Sequence, residues 1–182
     1  GKKANKPMEL PVPFMIAGMA YGASVSKRVK LALAKASTVV GTAINSGESG
    51  FLAEEREIAK LYVVQYNRAG WGNEPEQLKQ ADMIEIKIGQ GASAGDGFMI
   101  GHELIGDELR KHLKLEEGQD AVMPARFLDI NNEDELKKKV NELRELTDGV
   151  PIAVKIAAGN IESDIDKLLY AEVDAIVLDG AQ

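Results

Sequence analysis

Met83-Ile84-Glu85-Ile86-Lys87-Ile88 runs into Gly89-Gln90-Gly91-Ala92-Ser93-Ala94-Gly95-Asp96-Gly97, a strand pattern that breaks into a glycine-rich loop. Alternation puts Ile84, Ile86 and Ile88 on one face of the strand and Glu85 and Lys87 on the other. Burying a carboxylate and an ammonium costs several kcal/mol unless each is paired or used. The glycines beyond the strand allow backbone N–H groups to approach a ligand closely. The pattern is that of a strand delivering charged groups to a site built from loops.

A second strand repeats it. In Pro151–Ile156, Ile152, Val154 and Ile156 share one face, while Ala153 and Lys155 share the other with Ala157. Further buried strands are expected at Pro13–Gly18, Thr38–Ile44, Leu61–Tyr66 and Ala175–Leu178, making six with Met83–Ile88 and Pro151–Ile156. Helical spacing appears between most of them, over Val25–Ser37, Glu54–Ala59, Pro75–Gln80, Asn132–Thr147 and Glu162–Ala171. Ser24 or Ser26 is placed to cap the first of these helices, and Asp148-Gly149 to close the fourth. Strands alternating with helices imply βαβ units and a parallel sheet.

In an open doubly wound sheet both strand faces are apolar; here one face carries lysines near strand carboxyl ends. A (β/α)8 TIM-type barrel, whose inward face meets the chemistry at the carboxyl ends, accounts for both faces. About six strand–helix units are present, so the chain reads as an incomplete barrel in a single domain over residues 1–182. Residues 89–120 are long for a simple loop and form a candidate active-site insertion, helical at Asp107–Leu113. An open barrel of this kind exposes apolar edges and is expected to associate into an oligomer.

Composition narrows the function. A formal charge of −7 argues against a nucleic-acid or anionic-membrane partner. Lys137-Lys138-Lys139 lies among Glu133, Asp134, Glu135 and Glu142, as on a solvated helix face. No apolar run reaches the roughly 18–20 residues of a membrane span, and Gly1–Pro7 has no apolar segment behind it, so a cytoplasmic location is expected. The absence of cysteine removes disulfides, thiolate chemistry and cysteine-held iron–sulfur clusters from this segment. His102 and His112 have no convergent ligand spacing, so they read as surface or turn residues and no metal is expected.

Phe14-Met15-Ile16-Ala17-Gly18-Met19-Ala20-Tyr21-Gly22-Ala23, Asn45-Ser46-Gly47-Glu48-Ser49-Gly50 and Glu85-Ile86-Lys87-Ile88-Gly89-Gln90-Gly91-Ala92 together resemble the FMN-binding domain of glutamate synthase. Val154-Lys155 and Val177-Leu178-Asp179-Gly180 extend the resemblance, which is closest to the stand-alone branch of archaea and anaerobic bacteria. It implies an FMN-dependent oxidoreductase that reduces 2-iminoglutarate, made from 2-oxoglutarate and ammonia, to glutamate. Electrons would come from a donor protein or an NADPH-oxidising subunit, with any iron–sulfur cluster outside this segment.

The resemblance implies that Gly18, Met19, Ala20, Gly22, Asn45, Gln65, Lys87, Gln90 and Lys155 line the flavin. It implies Glu48, Lys87 and Lys155 as catalytic groups, and Gln90 and Ser93 as substrate contacts. Ser93 and Glu103 stand where the family carries lysines, and Arg68-Ala69-Gly70-Trp71 replaces a Ser-Gly-Arg-Phe pattern, so Arg68 becomes the candidate cationic substrate ligand. The flavin motif is therefore kept better than the 2-oxoglutarate motif. The family continues beyond Asp179-Gly180 with loops that hold the FMN phosphate, and these are expected outside this segment.

The residues alone leave alternatives open. Lys87 and Lys155 pair with Glu85 or Asp179 inside the barrel, or they polarise a substrate. Glu48 caps a glycine turn or serves the site, Gln90 stabilises a turn or meets a ligand, and Trp71 covers the site mouth or the core. Two other functions compete: an FMN oxidoreductase for another small oxo- or imino-acid, and a non-catalytic flavin-binding scaffold subunit.

Overall fold

The computed structural model describes residues 3–93 and 95–180. Ala94 of the glycine-rich loop, and Ala181 and Gln182 beyond the last strand, lie outside the described residues. Along the chain come α1 (Lys27–Val40), β1 (Ala43–Asn45), α2 (Ala53–Ile58), β2 (Leu61–Tyr66), α3 (Pro75–Leu78) and β3 (Met83–Lys87). An excursion follows, with β4 (Phe98–Ile100), α4 (Asp107–Leu113) and β5 (Ala121–Met123). The chain then returns through α5 (Glu133–Leu146), β6 (Ile152–Ala157), α6 (Ile161–Tyr170) and β7 (Ala175–Asp179).

Five strands form one parallel sheet in the order β1-β2-β3-β6-β7. The order never reverses, as it would at the switch point of a doubly wound sheet. The fold is α/β with a curled parallel sheet, compatible with part of a TIM-type barrel.

The two faces of this sheet differ as alternation requires. Ile44, Tyr62, Val64, Ile84, Ile86, Ile152, Val154 and Ile156 all join one apolar cluster with Ala34 of α1, Leu136, Val140 and Leu143 of α5 and Leu168 of α6. Ile84 and Ile86 are fully buried, and each such side chain contributes about 1.5–3 kcal/mol relative to exposure. The opposite parity presents Asn45, Gln65, Glu85, Lys87, Lys155 and Asp179. Register lines these up across the sheet: Gln65 pairs with Glu85, Glu85 with Ala153, Lys87 with Lys155, and Ala157 with Asp179. Small residues on β6 leave room where charged side chains crowd on β3.

The helix ends are specified locally. Ser26 caps α1 by accepting from the Val29 N–H, and Asn132 caps α5 by accepting from the Glu135 N–H at 2.9 Å. Asp148 and Gly149, both at positive φ, follow the end of α5.

Two expected strands need correction. Pro13–Gly18 forms no strand; only Ile16 bridges to Ile44, in parallel, with Ile16 N–H donating to the Ala43 carbonyl. Pro11 and Pro13 lack the N–H groups a longer ladder needs. The sheet therefore has five strands and a bridging segment in place of the expected six strand–helix units. Thr38, Val39 and Val40 continue α1 instead of opening β1. Their β-branched side chains suggest a strand, but Val39 and Val40 face outward and Thr38 Oγ1 donates to the Ile58 carbonyl on α2. Gly41, at φ 82°, ends the helix with its N–H on the Ser37 carbonyl.

The excursion runs to Met123, because β4 and β5 pair antiparallel across it. A second apolar cluster forms from Tyr21, Ile105, Leu109, Leu113 and Ala121, with Trp71, Ile100 and Leu115 against it. The excursion is thus packed on the loops that follow the Ile16 bridge and β2. Trp71 belongs to this small core, its ring tilted on Phe98 at 6.4 Å.

His112 also belongs here, and it is not the surface residue its polar surroundings suggest. Its Nε2 lies 2.8 Å from the Ser49 carbonyl and its ring meets Tyr21 edge-on at 5.3 Å. Burial holds the imidazole below the usual histidine range, against the pull of the Ser49 carbonyl. Between that lowered value and the unfolded value near 6.5 the unfolded chain binds the proton and the folded chain does not. Stability therefore falls as pH drops through this window. Melting temperatures measured from pH 8 to pH 5 are expected to show that fall, and His112→Gln to flatten it; an unchanged slope in the variant would refute the assignment.

Candidate active site at the carboxyl ends of the strands

The loops after Ile16, β1, β2 and β3 meet the carboxyl ends of β6 and β7 on the polar face of the sheet. Lys87, on the last residue of β3, is 4 % exposed and binds Glu48 Oε1 at 2.8 Å and Gln90 Oε1 at 2.5 Å. Burial pushes its ammonium below the usual lysine range, opposed by the bond to Glu48. Gln90 Nε2 in turn donates to Ser93 Oγ at 3.1 Å. Glu48, Lys87, Gln90 and Ser93 therefore form one chain of contacts.

Arg68 approaches the same carboxylate, with 3.9 Å between its guanidinium and Glu48 Oε1. Its shorter bonds go elsewhere: one nitrogen donates to the Ala125 carbonyl at 2.6 Å and another to the Asp96 carbonyl at 3.1 Å. It ties the flanks of the β4–β5 hairpin to the β2 loop. Lys155 pairs with Asp179 at 2.6 Å, one of the two partners its position allows. Asp179 also accepts from the Gly91 N–H at 2.9 Å, joining the β7 end to the glycine-rich loop. Burial pushes the Asp179 carboxyl up, but the bonds from Lys155 and Gly91 outweigh it and hold the group below its usual value.

Deeper on the same face, Glu85 Oε1 accepts from Asn45 Nδ2 at 2.9 Å and from Gln65 Nε2 at 2.6 Å. Asn45 Oδ1 then accepts from the Gly47 N–H. Gly18 lies over this group: a Cβ there would stand 2.9 Å from Asn45 Oδ1 and 3.2 Å from Gln65 Nε2. Gly47, at φ +73°, lies against the backbone of Met19 and Ala20, where a Cβ would come within 2.6 Å. Positive φ and this close approach both require glycine. Ser49 Oγ fixes the same segment by donating to the Tyr21 carbonyl at 2.6 Å. Gly18 is thus brought beside Asn45 and Gln65, Met19 and Ala20 beside Gly47, while Gly22 lies against Leu109 of the excursion.

One network was not anticipated from the motifs. Lys30 and Glu55, both fully enclosed, pair at 2.9 Å, and Glu55 accepts from the Tyr62 hydroxyl at 2.8 Å. Lys30 Nζ also donates to the carbonyls of Asn45 and Ser46, at 3.2 and 2.9 Å, holding the β1 loop from α1. Burial pushes Lys30 down and Glu55 up. The sequence carries a signal for it: Lys30 falls in register with Ala34 and Ser37 on the buried stripe of α1.

Among the described residues, His102, Glu103 and Asp120 bring ligand atoms within 4.8 Å of one another on an exposed turn. Asp120 Oδ1 there accepts from the His102 N–H at 2.8 Å, which accounts for the arrangement as a clasp at the root of the excursion. No helix among the described residues is long and apolar enough to cross a membrane.

Comparison with known proteins places the chain in a family. The model of the conserved region in glutamate synthase matches residues 1–182. A glutamate synthase large subunit-like protein of Rhizobium meliloti is 38% identical over 180 residues, covering 98% of this chain and 40% of that protein. An archaeal-type glutamate synthase [NADPH] of Thermotoga maritima is 35% identical over 175 residues, covering 95% of this chain and 34% of that protein. An archaeal glutamate synthase [NADPH] of Archaeoglobus fulgidus is 34% identical over 175 residues, with the same two shares. The chain spans between a third and two-fifths of the length of these relatives. With a family match along its whole length, the chain belongs to the glutamate synthase family.

Proposed function

We propose that this chain is the flavin-holding part of a glutamate synthase, which reduces 2-iminoglutarate, formed from 2-oxoglutarate and ammonia, to glutamate. The observation that carries the reading is the Glu48–Lys87–Gln90 contact chain at the carboxyl end of β3. Two features fit FMN: Gln65 Oε1 is enclosed without a hydrogen-bond partner, and a side chain at position 18 would fill the space over Asn45 and Gln65. Gln65, Asn45, Lys87, Gln90, Lys155 and the loop from Gly18 to Gly22 would hold it. FMN, when bound, supplies the electron pair that the imine takes up and is recharged by an external donor.

The chain's own groups then have distinct work. Lys87, in a poorly hydrated position, stabilises negative charge on whatever lies beside it more strongly than an exposed lysine can. Glu48, held by Lys87, is placed to carry a proton to or from an ammonium or imine nitrogen. Gln90 and Ser93 offer neutral hydrogen-bonding groups to a substrate carboxylate. Lys155 is paired with Asp179 and is more exposed than Lys87, so its effect on a ligand is weaker. A donor protein or an NADPH-oxidising subunit would reduce the site, and the exposed ends of the sheet would be covered in an oligomer.

A second reading keeps the flavin and changes the acid. It is favoured by Arg68, whose guanidinium is engaged by the Ala125 and Asp96 carbonyls, and by Ser93 in a position where a cation would grip a second carboxylate. Anaerobic assay of the full-length protein with a reduced donor, ammonia and either 2-oxoglutarate or a monocarboxylic 2-oxo acid separates the two. Glutamate formation with at least tenfold preference for 2-oxoglutarate is the expected result; equal or better turnover of the monocarboxylic acid would overturn it.

A further inference from the structure

The geometry points to Glu85 as a positioning residue that fixes which way the Gln65 amide faces, and so makes Gln65 an acceptor toward the bound ligand. This rests on the flavin reading above. Glu85 is 5 % exposed, and no cation is paired with it among the described residues; its Oε1 instead takes two amide donors, Asn45 Nδ2 and Gln65 Nε2. A carboxylate accepts and does not donate, so both amides must turn their nitrogens toward it. The orientation of Gln65 therefore follows from chemistry: with Nε2 on Glu85, Oε1 is directed elsewhere. That oxygen is enclosed and has no partner.

Buried acceptors without a donor are rare in native proteins and mark a missing partner. Water or a ligand N–H would satisfy it. In an oxidised flavin the ring carries a single N–H, at N3, flanked by carbonyls. We therefore assign Gln65 Oε1 as the acceptor for that N–H, and Glu85 as the group that keeps it so. The same carboxylate acts on the β1 loop, since Asn45 can offer Oδ1 to the Gly47 N–H only while its nitrogen is on Glu85.

The test uses the full-length protein, with FMN and N3-methylated FMN as probes. The natural protein is expected to prefer FMN by about tenfold, the effect of one hydrogen bond to a buried acceptor. Gln65→Leu removes the acceptor and Glu85→Met removes what orients it, so each is expected to abolish the preference. The double variant should lose no more than either, because Glu85 acts through Gln65. Glu85→Gln keeps an oxygen for both amides and is expected to retain the preference. Hydrogen exchange at the Gly47 amide, measured without flavin, should accelerate in Glu85→Met and not in Glu85→Gln. An undiminished preference and unchanged Gly47 exchange in Glu85→Met would overturn the assignment. Failure of the natural protein to bind either probe would sink the flavin reading instead, and the Gly47 exchange then decides the positioning role alone.

Discussion

Replacing Lys87 by methionine is expected to leave the protein folded, with a modestly lowered melting temperature, while lowering turnover about 100- to 1000-fold, the usual cost of removing one preorganised electrostatic contact. The two halves of the expectation come from the same observation. Lys87 is 4 % exposed and burial pushes its ammonium down, so the charge is maintained at a cost to the fold. Methionine has similar length and no charge to desolvate, which offsets part of the cost of leaving Glu48 without its close partner. Glu48, less deeply enclosed, retains Arg68 nearby. Were Lys87 structural, the variant would melt early and the surviving folded fraction would turn over normally. Thermal melts and steady-state rates on the same preparation distinguish these. Lys155→Met should cost less in rate, since that lysine is more exposed to solvent than Lys87.

The second large effect concerns stability. Lys30→Met strands Glu55 as a fully enclosed carboxylate whose remaining close partner is the Tyr62 hydroxyl. Leaving one member of a buried ion pair alone costs about 3–5 kcal/mol, and the Asn45 and Ser46 carbonyls lose their donor as well. A fall in melting temperature of roughly 10 °C follows for a chain of this size. Adding Glu55→Gln should recover most of it, because the glutamine can still bond Tyr62 without a charge. A double variant as unstable as Lys30→Met would show that the loop carbonyls, and not the stranded carboxylate, carry the effect. Because Lys30 grips the β1 loop, the double variant is expected to regain stability without regaining full ligand affinity.

The parity of Glu85 and Lys87 against Ile84 and Ile86 made the polar sheet face legible in the sequence, because strand alternation is a strict period. Lys155 repeated it, and the sheet pairs the two lysines in register. Periodicity was less informative where neighbouring signals conflict. Thr38, Val39 and Val40 carry β-branched side chains, yet they extend α1 because the turn before them was already hydrogen-bonded and Gly41 provides the stop. Pro13–Gly18 had the right composition for a strand, yet only Ile16 of it pairs with β1. His112 sat in a polar stretch, and only the docking of α4 on Tyr21 and Ser49 encloses it.

The site was legible as residue types and not as partnerships. Glycines at 18 and 47 mark places where backbone meets side chain or backbone, and those contacts are visible only in three dimensions. Arg68 read as a free cation near a missing substrate lysine, and its bonds to the Ala125 and Asp96 carbonyls arise from a hairpin distant in the chain. Lys30 and Glu55 lie on different helices with no motif linking them, and long-range ion pairs have no local period to betray them.

The central claim is that this polar face holds a flavin, and the visible absorption spectrum of the full-length protein, purified without added cofactor, tests it most directly. Flavin bands, with FMN released on denaturation and binding weakened when Gly18 is changed to valine, are the predicted result. A colourless protein that takes up no added FMN would contradict the account.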